Sequence, residues 1–154
     1  MTTTRDLLTG YAQVIAAAGI GVWNPNGVYQ LTDTGLYVKT MPDGDTIPDR
    51  CIVLNVIPLT DDVSIPAGRV LIQVAARGAR GNPFDVDDIL DPVFDLLQGR
   101  RSDVFGTTTV DQIFRSGSVP MGQDANARWT RADKYFADLD VNPTVNRPAG
   151  GFWD

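Results

Sequence analysis

The chain has no histidine, a single cysteine and no glutamate; all 19 acidic positions among its 154 residues are aspartate. Each absence excludes a chemistry. Without histidine there is no Ser-His-Asp or Cys-His nucleophile system and no imidazole-ligated metal, which removes the HExxH zinc proteases and the zinc deaminases. One cysteine cannot form a disulfide within the chain, which fits a reducing cytoplasm. Cys51 stands between Arg50 and Ile52 in an apolar run and reads as a small buried hydrophobe. No stretch approaches the roughly 20 apolar residues of a membrane helix. The start, Met-Thr-Thr-Thr-Arg-Asp, lacks the basic-then-apolar order of a signal peptide. The expectation is a soluble protein that is not exported. Lysine is scarce too: 11 Arg and 2 Lys against 19 Asp give a formal charge of -6 and a pI near 4.4. Such a chain repels nucleic acid and anionic membrane on average. The densest basic residues, Arg77, Arg80, Arg100 and Arg101, could still form a local patch, although a solvated loop face is the plainer reading.

What is present is a packable chain, 43% hydrophobic and 21% charged, of single-domain length. Leu7, Leu8, Tyr11, Val14, Ile15 and Ala18 recur at helical spacing. Thr3 and Asp6 form a capping-box-like start, and Gly19 supplies the stop. Gly10 inside this helix costs about 1 kcal/mol of propensity, so tertiary packing must hold it. Short strands are expected at Val22-Trp23, Val28 to Leu31 and Leu36 to Thr40, separated by Asn-Pro-Asn-Gly and Thr-Asp-Thr-Gly turns. After a Pro/Asp/Gly loop (42–49), Cys51 to Ile57 reads as a central strand covered on both faces. A polar excursion from Thr60 to Gly68 leads to an alternating strand, Arg69 to Arg77. A second helix starts near Asp85, with Asp85 as cap, Phe84 stapled on Ile89, and a core stripe of Val86, Ile89, Leu90, Val93, Phe94 and Leu97. Pro92 should kink or restart it. Strands follow at Val110 to Arg115, Ala127 to Thr130 and Tyr135 to Val141, with a glycine-rich loop at Ser116 to Asp124. From Asn142 the composition suits an extended arm, giving a domain over 1–141 and an arm over 142–154.

Candidate active sites fail one by one. Asp138-Leu-Asp140-Val-Asn142 starts like a calcium loop, but Pro143 occupies the turning glycine's place and Ala149 that of the bidentate glutamate. Arg77-Gly-Ala-Arg-Gly81 resembles a phosphate nest, yet no GxxxxGK[ST] or GxGxxG exists in the chain. The Asp61-Asp62 and Asp87-Asp88 pairs read as solvated capping charge rather than a proton or metal site. No catalytic residue, metal or cofactor is expected. Phe152-Trp153 either anchors a protein interface or folds back on its own domain.

The order of elements, with Ile47-Pro-Asp-Arg-Cys-Ile-Val-Leu, then Ile72-Gln-Val-Ala-Ala-Arg77-Gly, Leu97-Gln-Gly and Trp129-Thr-Arg-Ala-Asp-Lys-Tyr135-Phe, resembles the tail terminator proteins of long-tailed bacteriophages. The resemblance spans about residues 3 to 141. Pro92 and the C-terminal arm depart from it. It implies an α+β domain whose mainly antiparallel sheet carries two helices on one face. It also implies a homohexameric ring that caps the tail tube, contacts the tube protein and a head completion or stopper protein, and passes the genome DNA without specific binding or membrane contact. Another head-to-tail connector, a stopper or adaptor, is the alternative, and a small Asp-dependent hydrolase a remote one. Arg77, Arg80, Arg131, Phe152 and Trp153 are the expected interface residues, Arg77 and Arg131 pairing with Asp across subunits. Six copies at -6 each give a ring of -36; an Asp-lined lumen would let DNA slide.

Overall fold

Val70, Ile72, Val74 and Ala76 alternate along the chain, and a period of two sends their side chains to one side of a sheet. In the computed structural model, which describes residues 3–150, all four are buried. They belong to β3 (Ala67–Arg77), the third strand of a six-stranded sheet. The other strands are β1 (Gly35–Val38), β2 (Cys51–Asp61), β4 (Arg101–Phe105), β5 (Thr108–Gln123) and β6 (Trp129–Val141), and the spatial order is β1-β2-β3-β6-β5-β4. Every pairing is antiparallel except β1 with β2. Two helices, α1 (Thr3–Ala17) and α2 (Asp85–Leu97), complete the fold. Ile52 and Leu54 of β2 and Tyr135, Ala137 and Leu139 of β6 share a face with the β3 quartet, and this is the face that both helices cover in one continuous core. The fold is α+β, with the other sheet face free of helices.

The α1 stripe buries Leu7, Leu8, Tyr11 and Ile15 as spaced, and Gly19 turns the chain at φ +77°. Gly10 is where helix and sheet meet most closely: a Cβ there would lie 2.3 Å from Phe105 Cδ1. Phe105 ends β4, and the two-residue turn after it brings Gly106 over Asp6 in the first turn of α1. α2 runs through Pro92 without interruption. Its first turn differs from expectation. Phe84, not Asp85, is the cap residue and makes no side-chain hydrogen bond. Phe84 is also 70% exposed, so it staples nothing. Asp85 turns instead to the Ala79 N–H (2.7 Å) and to Arg50 (2.9 Å).

Several strand expectations need correction. Residues 28–31 form no strand; Tyr29 packs edge-to-face on Tyr37 and donates its hydroxyl to the Leu36 carbonyl, so this segment is a loop folded onto β1. Val22 reaches β1 only through a single bridge to Gly35. β2 is not central: it lies next to the β1 edge, and only its first four residues are buried. The polar excursion after it is mostly the far end of a long hairpin with β3. The glycine-rich segment Ser116 to Gln123 is strand, because shifts in register at Arg115/Gly117 and Pro120/Gly122 absorb the residues that do not fit a regular ladder. Trp129 to Val141 is one strand, not two.

The strands differ in length, which leaves the sheet with stepped sides. β1 pairs with β2 only over Cys51 to Leu54, so Asn55 to Asp61 have no strand outside them. On the other side β4 pairs with β5 over Thr108 to Gln112, Gly99 and Arg100 extend that pairing to Ile113, and Gln98 holds the Arg115 N–H. From Ser116 to Gln123, β5 is the outer strand. The two uncovered stretches occupy diagonally opposite corners.

Candidate functional site

Arginine and aspartate make up nearly all the charge, and the fold pairs most of it within the chain. Strand spacing puts Arg131 and Asp133 on one face of β6, the helix-covered one. Arg131 Nε and Nη2 donate to the two oxygens of Asp133 at 2.9 Å, and Nη1 donates to Asp87 (3.0 Å) and Asp91 (2.9 Å) on α2. Asp133 is fully buried. It also accepts from Ser118 of β5 and lies 3.6 Å from Arg115. Burial opposes the charge on Arg131, but the hydrogen bonds it donates to Asp133, Asp91 and Asp87 outweigh it and hold the guanidinium above its ordinary value. The aspartates foreseen across a subunit boundary are therefore supplied by its own chain, and their work is to clamp α2 onto the sheet.

A second cluster lies where β6 begins. Arg128, 1% exposed, donates to Asp124 (2.8 Å), Asp49 (3.0 Å) and Asp43 (3.1 Å). It joins the β5–β6 turn to the 42–49 loop. Burial opposes its charge, and those carboxylates more than compensate, so it too is held above its ordinary value. Asp43 is held below the usual carboxylate range by the Gly44 N–H and by Arg128. For Asp124 burial acts the other way, yet the N–H groups of Arg128 and Asn126 and the guanidinium prevail, and its pKa is also lowered.

Arg77 is buried, and its guanidinium donates to the carbonyls of Asp49 (2.8 Å), Pro42 (2.8 Å) and Pro48 (2.9 Å). It also contacts Cys51 Sγ at 3.2 Å, while the Cys51 thiol donates to the Pro48 carbonyl. Burial pushes this thiol up to about 11, against the pull of Arg77 and Arg128, so Cys51 is no nucleophile at neutral pH. Arg80 pairs with Asp49 at 3.1 Å from an exposed position. The four arginines proposed as a patch do not assemble. Arg77 and Arg80 belong to the end of the sheet where β6 begins, whereas Arg100 and Arg101 lead into β4 at the opposite end. The nest-like 77–81 segment has its amides bound already, Ala79 to Asp85 and Gly81 to the Ala127 carbonyl.

Asp138 pairs with Arg69 at 2.7 Å, Asp62 accepts from Ser64 and Ile65, and no cluster of metal-ligating residues is found among the described residues. An open notch of about 500 Å³ lies between residues 61–65 and Asn146 to Pro148. Arg147 crosses it, donating to the carbonyls of Asp62 (2.7 Å) and Ile65 (3.0 Å). The start of the C-terminal segment thus lies back on the β2–β3 hairpin; Phe152 and Trp153 fall outside the described residues.

The family model described as bacteriophage tail terminator protein matches residues 14–141. The chain belongs to the bacteriophage tail terminator family. That match runs from the second half of α1 to the last residue of β6, so it takes in both arginine clusters and both stepped sides of the sheet. The tail terminator has no match among curated proteins. Among its described residues no helix is long and apolar enough to cross a membrane. Sequence reasoning missed Arg128 altogether. The signal was there in Asp124-Ala-Asn-Ala-Arg128, where a turn returns an arginine toward the aspartate that opens it.

Proposed function

We propose that six copies of this tail terminator close into a ring on the end of the tail tube, stop further addition of tube protein and offer the opposite side to a head completion or stopper protein. Membership of the family over residues 14–141 carries this reading. Two features of the chain support it. Its sheet has dissimilar sides, β1 flanked by Val22 and Tyr29 on one and β4 with the outer half of β5 on the other, as a head-to-tail contact between copies requires. Its charged groups serve the fold rather than a reaction. Of the arginines expected at subunit contacts, Arg80 reaches solvent directly. Arg77 and Arg131 contribute by fixing the 42–49 loop and α2 beside it.

The outer side of α2 carries Asp88 and Asp95, both exposed and two turns apart, with Asp91 between them. Lining the channel with this stripe would leave DNA phosphates no cation to neutralise them, and hence no counterion release to retain the genome. Rings carrying Asp88→Lys and Asp95→Lys should then retard DNA in a salt-dependent way, whereas wild-type rings should not.

The direct test images tail tubes growing with and without the protein. Tubes capped at one end and fixed in length are the expected result. Tubes that keep lengthening with the protein present would refute the proposal.

A further inference from the structure

The first turn of α1, the far half of the β2–β3 hairpin and the end of β6 enclose a groove of about 220 Å³. Its walls follow from strand register. Pro58 pairs with Val70 and Val56 with Ile72, and partners across a ladder share a face. Val56 and Pro58 therefore stand on the helix-covered side of the sheet, with Leu139 of β6 beside Val70. Leu7 of α1 and Val141 complete an apolar lining. The helix covers only part of it: Leu7 and Val70 are buried, Val56 and Val141 are half-buried, and Pro58 is exposed. A groove of this size has room for one aromatic ring, since an apolar cavity of roughly 150 Å³ takes up benzene.

The chain carries two such rings close by. Arg147 ties the C-terminal segment to the hairpin through the carbonyls of Asp62 and Ile65, and the same residue lines the groove. The chain then turns at Ala149 and Gly150, the latter with a φ of +81°. Phe152 and Trp153 follow within six residues of Arg147. Six residues reach at most about 20 Å, so the pair can enter this groove while Arg147 keeps its bonds. A tether this short gives the rings a high effective concentration at their own groove. A tail from a second copy would instead have to offset the lost freedom of association. Thr3, Thr4 and Leu7 on one wall precede residue 14, and the segment follows residue 141, so both lie outside the matched domain.

We propose that residues 151–154 fold back onto their own chain and seat a ring of Phe152 or Trp153 in this groove. The arm is then a latch that closes the core beside the first turn of α1, not an anchor for another protein. This inference goes beyond the ring reading and does not rest on it.

The test reads methyl resonances of the full-length protein by NMR. A ring lodged in the groove displaces the methyl signals of Val56, Val70 and Leu139, chiefly upfield. In the Phe152→Ala/Trp153→Ala double variant those displacements should be lost. Ile89 and Val93 of α2 should keep their positions, which reports that the variant is folded. In wild type the displacements should persist on dilution. Unlabelled wild type added to the methyl-labelled double variant should not restore them. Groove methyls that resonate alike in wild type and variant would place the rings elsewhere and overturn the latch. Displacements that vanish on dilution, or that return when wild type is added, would assign the groove to a second copy's tail and overturn it equally. Neither result bears on the ring, which is tested on tail tubes.

Discussion

The end of the sheet where β6 begins and the corner where β4 stands treat arginine in opposite ways. At the first, Arg77, Arg128 and Arg131 are buried, and their donors end on aspartates or carbonyls of the same chain. At the second, Arg101 stands in solvent without a partner among the described residues. The same side chain thus serves two purposes, and burial separates them. A guanidinium that closes a loop or clamps a helix contributes to folding; one left free on an edge strand is available to another molecule.

Breaking the buried end should give the largest effects. Arg131→Met removes the main counter-charge of fully buried Asp133 and frees Asp87 and Asp91 of α2. Urea unfolding should show a loss of about 3–5 kcal/mol, the cost of leaving one charge of a buried pair uncompensated. Arg77→Met should come next, at about 2–3 kcal/mol, because the carbonyls of Pro42, Pro48 and Asp49 lose their donors. If that variant unfolds with wild-type stability, the 42–49 loop is held by Arg128 alone. Gly10→Ala probes the core away from both charged regions. Overpacking against Phe105 costs about 1–3 kcal/mol and helix propensity returns about 1, so a small net loss in thermal stability is expected.

Acid sharpens the comparison further. Asp43 and Asp124, which hold Arg128, and Asp62 at the opposite end all have depressed pKa values in the fold. Depressed groups stabilise at pH values above their unfolded pKa, near 4, and that contribution is lost as pH falls through the lower folded values. Stability measured from pH 7 downward should therefore hold until about pH 4 and then decline. Arg128→Met should reduce, without abolishing, the part of the decline that depends on Asp43 and Asp124, whose backbone N–H donors remain, and leave the part that depends on Asp62. Smallest of all, Arg101→Asp should change the stability of the monomer by less than about 0.5 kcal/mol.

Periodicity made the two helices and β3 legible, since Leu7-Leu8-Tyr11-Ile15 and Val70-Ile72-Val74 state their own geometry. β4 was not legible. Ser102 holds a positive φ of 59° in the middle of it, and its five residues show no alternation of apolar and polar. Gly117, Pro120 and Gly122 read as loop because each disfavours a regular ladder, and only a long partner such as β6 makes the bulges tolerable. Val28 to Leu31 read as strand because the residue types suit one, but Tyr29 and Val22 already occupy the flank of β1. For the site, sequence marked Arg131 as a pairing residue without showing which aspartates it would meet. The i, i+2 relation to Asp133 was the available sign.

The most direct measurement follows tail tubes by electron microscopy as they grow with and without the full-length protein, the role proposed from its family membership over residues 14–141. Tubes capped at one end and fixed in length are the predicted result. Tubes that keep lengthening in its presence would contradict the account.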